Sequence, residues 1–515
     1  MEKVHAQFKL ESILNLLLRL FLFILPWQTI WIYQEKFLNG AKWQYGTMGW
    51  YGSEILLWVC IFIFMAFVFA QVKDTRYKIQ MKAEKDRIFL GSILLFLLYS
   101  FLSIFWSVDV DVALQTSLRL MEAFFLFLML YTSSLSFKQL AVCFVAGSVL
   151  PSVLGIFQFL MQTDFSLTLL GLSQHLASVG GTSVVGSESI GRWLRVYGPF
   201  PNPNIFGGYL ALAFVIALMV YEKNPACDSV ELVEIRQARK DYIPILSGLR
   251  LPAQGWSAFG GKIILYGVIA LQITALFFSF SRAGWIAVGV TVFFYCLIGV
   301  FAKAETPPCP PQGGIIPNLF SKIPPLRGAG GCFTPPVILF VLLTSVLTFI
   351  FFPLVQTRFV HQSSLEIRST EDRVSGYREA VEIFKEHFFV GVGAGNYTAE
   401  LYQLNPTLPG YAYQPVHNVG LLFLAEFGIA GIILILVVLL SFWSYHQSQV
   451  TNDKFSIFNF QSLHVWYVLC AMWYVFLAFF DHYFLSSYVG LVLTATYFCL
   501  VFRLSPANPP SVPKV

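Results

Sequence analysis

The sequence predicts an all-α, polytopic transmembrane bundle of about twelve spans, and three observations carry that prediction. Hydrophobic residues make up 57% of the chain against 12% charged, which leaves too few polar side chains to wet several soluble domains. Apolar runs of roughly twenty residues, enough to cross a hydrocarbon core of about 30 Å, recur along the whole chain. The Lys and Arg side chains gather in the gaps between those runs, where topology signals sit. The net charge of +5 is therefore a membrane signal, and no nucleic-acid partner is expected.

The first run, Ile13 to Tyr33, is longer than a signal-peptide core and lacks a small-x-small cleavage site, so it is expected to stay as a span, with no separate targeting segment. Spans follow near 12–32, 53–71, 88–106, 113–132, 138–161, 204–221, 262–279, 284–302, 336–355, 417–441, 463–480 and 484–503. Lys73, Arg76, Lys78, Lys82, Lys85 and Arg87 mark the segment after the second span as cytoplasmic. Counting outward from it predicts a multi-pass plasma-membrane protein with both termini cytoplasmic. Cysteine usage agrees: Cys227, Cys309 and Cys332 fall in cytoplasmic segments and Cys60, Cys143, Cys296, Cys470 and Cys499 in spans. With no C-x-x-C pair, neither a disulfide nor a thiolate metal site is expected.

Four long connections interrupt this pattern. The cytoplasmic segments 222–261 and 303–335 are mixed-charge and Pro/Gly-rich respectively, and the second has the composition of a spacer. The outer segments 162–203 and 356–416 are long enough to suggest a function. In the latter, Val374, Tyr377, Val381, Phe384 and Phe388 recur at helical spacing and predict an amphipathic helix over about Glu371 to Phe388. The Gly391-Val392-Gly393-Ala394-Gly395-Asn396 run after it reads either as a helix cap or as a cradle of backbone amides for an anion.

Charged residues at the outer ends of spans are the candidates for chemistry. Arg282, in Ser279-Phe280-Ser281-Arg282-Ala283-Gly284, stands between two apolar runs. It either snorkels to headgroups or serves as a fixed cation for phosphate oxygens. Arg195 opens a Pro/Gly/Asn-rich turn whose rigidity would present it at the mouth of the bundle, with Arg192 as the competing cation. Asn202 and Asn204 in that turn are helix caps or substrate contacts. His417, at the start of the tenth span, is the natural general base, and Asp481 could orient it or cap the last helix. Asp109-Val110-Asp111 forms a D-x-D pair read as a metal site or as N-terminal caps. Arg119 and Glu122, the notable mid-span charges, are expected to make a local i,i+3 contact.

Taken in order, these segments resemble the O-antigen ligase and O-antigen polymerase superfamily of bacterial membrane proteins. The resemblance runs through Arg195…Gly198-Pro199-Phe200…Asn202-Pro203-Asn204, Ser281-Arg282-Ala283-Gly284, Arg373-Val374-Ser375-Gly376-Tyr377 with the glycine turn, and His417-Asn418…Glu426-Phe427-Gly428. It covers roughly 190–430. It implies a GT-C-like bundle in the bacterial inner membrane and a metal- and cofactor-independent enzyme active on the outer face. That enzyme would move a glycan from a polyprenyl-diphosphate carrier to a hydroxyl of a glycolipid, glycan or protein. Arg282 and Arg195 would hold the diphosphate, His417 would take the acceptor proton, and Arg192, Asn202, Asn204, Arg373, Tyr377 and Asp481 would contact substrate. Attack opposite the leaving group would invert the anomeric centre. The rival reading is a transporter or lipid flippase, for which the span count fits equally well but which would place polar groups along a midplane pathway.

Overall fold

The computed structural model describes residues 2–72, 84–187, 190–222, 253–301, 334–359, 364–449 and 474–503. The basic segment 73–83, most of both cytoplasmic segments, the C-terminal residues and the first part of the expected span at 463–480 lie outside the described residues.

The described chain is mostly helical. Seven helices are long and apolar enough to cross a membrane, or eight if the bent pair Pro335–Ile350 and Phe352–Phe359, which meet at 93°, counts as one span. Arg282–Leu297 and Tyr488–Phe502 are shorter apolar helices. Large side chains such as Phe105 and Phe349 stand about 85% exposed on these helices. In water so much exposed apolar surface would drive aggregation, whereas in lipid it is the favoured solvent contact.

At the centre is a helix over Pro203–Glu222, α7 in chain order, buried from Pro203 to Val220 apart from the partly exposed Asn204. A helix that is apolar all round has no preferred face, so it takes the interior and its neighbours wrap it. Around it pack α5 (Phe137–Gly147), α8 (Ala253–Phe278), α9 (Arg282–Phe301) and the last helix, α16 (Tyr488–Phe502). Asn202 caps α7 by accepting the Asn204 N–H at 2.8 Å, and Pro203 occupies the first turn, where its missing N–H costs nothing.

Two departures from the expected all-α bundle matter. The first apolar run does not continue to residue 32. Its helix, α1, ends at Ile24, and after Pro26 the chain forms an antiparallel hairpin of β1 (Ile30–Leu38) and β2 (Ala41–Tyr51). The β-branched and aromatic run Ile30-Trp31-Ile32-Tyr33 favours a strand, and Asn39-Gly40, with φ of 49° and 76°, makes the two-residue turn that suits a hairpin's twist. A second hairpin, β3 (Val184–Ser187) with β4 (Gly191–Leu194), leads to Arg195.

The amphipathic helix exists and starts earlier than expected, running over Ser364–Glu386. Over its described side chains, from residue 371 on, Ala380 and Ile383 are buried, with Tyr377 packed beside them, whereas Val374, Val381 and Phe388 are exposed. The packed face is therefore rotated from the stripe that the larger apolar residues suggest. Ala380 and Ile383 share a core cluster with Val416, and the helix packs against α14 (Val419–Gln449). The glycine run that follows is a packing turn. Val392 and Gly393 donate to the carbonyls of Ala425 and Glu426, and the amides of Gly395 and Tyr397 bond the Glu426 side chain. The acceptor held there is thus an internal carboxyl group, that of Glu426. A Cβ on Gly391, at φ 69°, would lie 2.3 Å from the Glu426 carbonyl oxygen, so only glycine allows this contact.

Candidate active site

Two turns converge on the first turns of α7. On one side is the sharp link between α8 and α9, Ser279-Phe280-Ser281-Arg282. Ser281 caps α9 by accepting the Gly284 N–H at 3.2 Å, which puts Arg282 at the first helical position, half-buried. Phe280 is fully buried with φ 48°, a left-handed conformation that costs a non-glycine residue on the order of 1–3 kcal/mol and persists only where surroundings impose it. Here Trp285, Phe277 and Phe159 pack around its ring, and Arg358 donates to its carbonyl at 2.9 Å.

Arg195 locks this turn from the other direction. It is buried, donates through Nε to the Ser279 carbonyl at 2.9 Å, and donates through a terminal nitrogen to Asn204 Oδ1 at 2.7 Å. Arg192 faces elsewhere, bonding the carbonyls of Ala177 at 2.6 Å and Val179 at 3.3 Å. A spacing of three would put both on one side of a helix, but the chain here is extended, and residues an odd number apart in a strand point to opposite faces. Asn202 serves as the helix cap, and Asn204 as the acceptor for Arg195.

On the other side of α7 are His417 and the turn Asp481-His482-Tyr483. Asn418 caps α14, accepting from Leu421 N at 2.9 Å, and its side-chain amide donates to the Phe479 carbonyl at 3.2 Å. That tie holds His417 against the 474–480 helix end. His417 Nδ1 lies 3.6 Å from Asp481 Oδ1, an ion-pair distance longer than a hydrogen bond. Asp481 accepts the His482 N–H at 2.9 Å and supplies no N-terminal cap to the short helix that follows. The His417 and His482 rings are 5.0 Å apart, and Tyr45 of β2 meets His482 edge-on at 6.0 Å. Arg373 is near enough to act electrostatically on His482, whereas Tyr377 belongs to the packed face of its helix.

Adjacent glycines join the two sides. A Cβ on Gly207 would lie 2.5 Å from Ser281 Cβ, and one on Gly208 would lie 1.8 Å from the Tyr483 hydroxyl. The arginine turn and the histidine turn therefore touch neighbouring faces of a single helical turn.

The electrostatics of the histidine side follow from burial. Burial opposes the Asp481 charge, but His417 and His482 outweigh it and hold the carboxyl below its usual value. Burial pushes His482 down to about 4, against the pull of Asp481, with His417 and Arg373 acting in the same direction as burial. A histidine with a depressed folded-state pKa contributes stability that is fully present above its unfolded value near 6.5 and is lost as pH falls toward 4. Lowering pH from 7 to 5 is expected to cost about 2 kcal/mol from this group. It should appear as a fall in Tm of the detergent-solubilised protein that His482→Asn flattens; an unchanged slope in that variant would refute the assignment. The Asp481 contribution is lost only at still lower pH, as its carboxylate protonates.

Among the described residues, two clusters bring potential metal ligands together: His417, Asp481 and His482, and Glu386, His387 and Glu400, each with ligand atoms within 4.8 Å of one another. The D-x-D pair behaves as caps and ion-pair partners. Asp109 accepts the Val112 N–H, and Lys36 Nζ lies 2.7 Å from Asp109 and 3.0 Å from Asp111. Sequence reasoning named His482 only within Asp481-His482-Tyr483, as a segment able to position substrate or orient His417, and passed over Arg358. The latter's signal was a lone cation in the apolar stretch after residue 335. The sharp bend after Ile350 carries Arg358 back onto the Phe280 carbonyl.

An apolar groove of about 270 Å³ opens beside this arginine turn, with Phe277, Trp285, Phe340 and Phe359 among its walls. No curated protein matches the chain. Residues 267–436, about a third of the chain, match a family model described as O-antigen ligase. The matched segment holds Arg282, Arg358, Arg373 and His417, and leaves Arg195 and Asp481 to flanking elements. The segment 267–436 thus carries an O-antigen ligase domain, which supports the superfamily that the sequence motifs resemble.

Proposed function

We propose that this protein transfers a glycan from a polyprenyl-diphosphate carrier to an acceptor hydroxyl on a glycolipid, glycan or protein. The reaction runs at the outer face of the bacterial plasma membrane, in a GT-C-like bundle. The observation that carries the reading is the convergence on Gly207 and Gly208, which sets a cationic turn beside an apolar groove on one side and a histidine–carboxylate pair on the other.

The polyprenyl chain lies in the groove walled by Phe277, Trp285 and Phe340, and its diphosphate meets Arg282, with Arg358 close by. A guanidinium stays charged and grips two oxygens at once, so these side chains supply the charge that a divalent cation gives other transferases. Arg195 braces the turn through Ser279 and completes the cationic environment. Nε2 of His417 removes the acceptor proton while Nδ1 faces Asp481, whose charge favours the imidazolium that forms. The acceptor oxygen bonds to the anomeric carbon as the carbon–oxygen bond to the diphosphate breaks. Its electron pair leaves on the phosphate oxygen, and the configuration inverts. Arg373 lines the approach of the glycan, and Tyr377 anchors the helix that carries it.

Reconstitution in liposomes with a diphosphate-linked glycan and a lipid or glycan acceptor tests this directly. Transfer in the presence of EDTA, with an inverted anomeric linkage in the product by NMR, is the expected result. A retained configuration, or no transfer to any acceptor class, would overturn the reading.

A further inference from the structure

A second polar site lies under the β1–β2 hairpin, against α2 (Gly52–Val72) and α4 (Val110–Thr132). The expected local Arg119–Glu122 contact does not form. Arg119 instead reaches Glu54 at 3.5 Å and the Gly49 carbonyl at 3.0 Å, with its guanidinium 5.6 Å from the centre of the Tyr51 ring. Glu122 is fully buried. Its Oε1 accepts the Trp58 indole N–H at 2.7 Å, and its carboxyl shares a hydrogen bond with that of Glu54. Both carboxylates line a cavity of about 170 Å³ whose other walls include Gln34, Gln115, Tyr33 and Trp50. Carboxyl and carboxamide groups in a cavity wall are able to bond the hydroxyls of a ligand that enters it.

We propose that this cavity binds a sugar ring of the glycan, at a subsite separate from the reacting centre; the assignment rests on the glycan-transfer reading above. The chemistry selects that ligand. Carboxylates and amides suit an array of hydroxyls, and Tyr33 and Trp50 offer flat faces to the ring's C–H surface. An anion is disfavoured by the acidic lining, because Arg119 is held by Glu54 and Lys36 by Asp109 and Asp111. The volume is below the roughly 300–1,000 Å³ of drug-sized pockets, consistent with a single ring. Strand β2 connects the subsite to the reacting centre: Tyr45 meets His482, and Trp50, five residues along, walls the cavity. The subsite would thus read a part of the glycan other than the bond being made.

The test uses the full chain in nanodiscs. Its probe is the free oligosaccharide released by mild acid from the lipid-linked glycans of the source cells, with binding followed by saturation-transfer NMR. Wild type is expected to bind, with affinity reduced tenfold or more by Trp50→Ala, Gln34→Ala and Glu122→Gln and kept by Arg282→Ala. Gln34 is exposed, so its variant remains readable if Glu122→Gln fails to assemble. Absence of binding to wild type, or unchanged binding in both Trp50→Ala and Gln34→Ala, overturns the subsite. If binding and its Trp50 dependence persist while reconstituted wild type transfers nothing, the subsite stands and the transfer reading falls.

Discussion

Replacing His417 with alanine is expected to lower kcat for glycan transfer by about 10²–10⁴, the usual contribution of a positioned general base, while leaving donor binding nearly unchanged. The imidazole is positioned by its surroundings. Asn418 fixes the start of α14 against Phe479, and Asp481 faces Nδ1 at 3.6 Å. Without the ring, the acceptor hydroxyl must attack before losing its proton. Asp481→Asn keeps the shape and removes the charge, so it should give a smaller loss, again in kcat. Single-turnover kinetics with donor prebound would check both. A His417→Ala enzyme with full kcat would remove the base from the mechanism.

The second large effect is expected at Arg282. Its replacement by alanine should cut kcat by about 10²–10³, as for the loss of one donor aimed at developing charge. Arg282→Lys should recover only part, because an ammonium keeps the charge but not the two-pronged grip. Inhibition by the free polyprenyl diphosphate product should weaken in parallel. If product inhibition is unchanged in Arg282→Ala, the arginine does not meet the diphosphate. The Phe280 strain gives the prediction a structural basis: the turn is held in an unfavourable conformation by ring packing and by Arg358, and the constraint fixes where the helix carrying Arg282 begins.

Most spans were legible because the hydrocarbon thickness imposes a length and an apolar composition that no other requirement mimics. The run at 12–32 misled for a related reason. Ile30-Trp31-Ile32-Tyr33 is as apolar as a helix end, and a hydropathy count does not distinguish a strand. Pro26 and the Asn39-Gly40 pair carried the hairpin signal. The amphipathic helix was legible, but its packed face followed shape, with Ala380 inside and Val374 outside.

The sequence by itself determined a membrane-embedded helical chain, the candidate charges Arg282, Arg195 and His417, and the resemblance that named their chemistry. Tertiary structure alone decided which of these lie together. Arg195 meets Ser279 while Arg192 turns away, because an extended backbone alternates its faces. Arg119 finds Glu54 on another helix, because burial rewards the partner that packing supplies over the one nearest in sequence. The meeting of the arginine turn with the histidine turn rests on two glycines of α7, whose missing side chains allow both turns to approach one helix. Such contacts depend on volume and direction in three dimensions, which residue spacing along a chain does not encode.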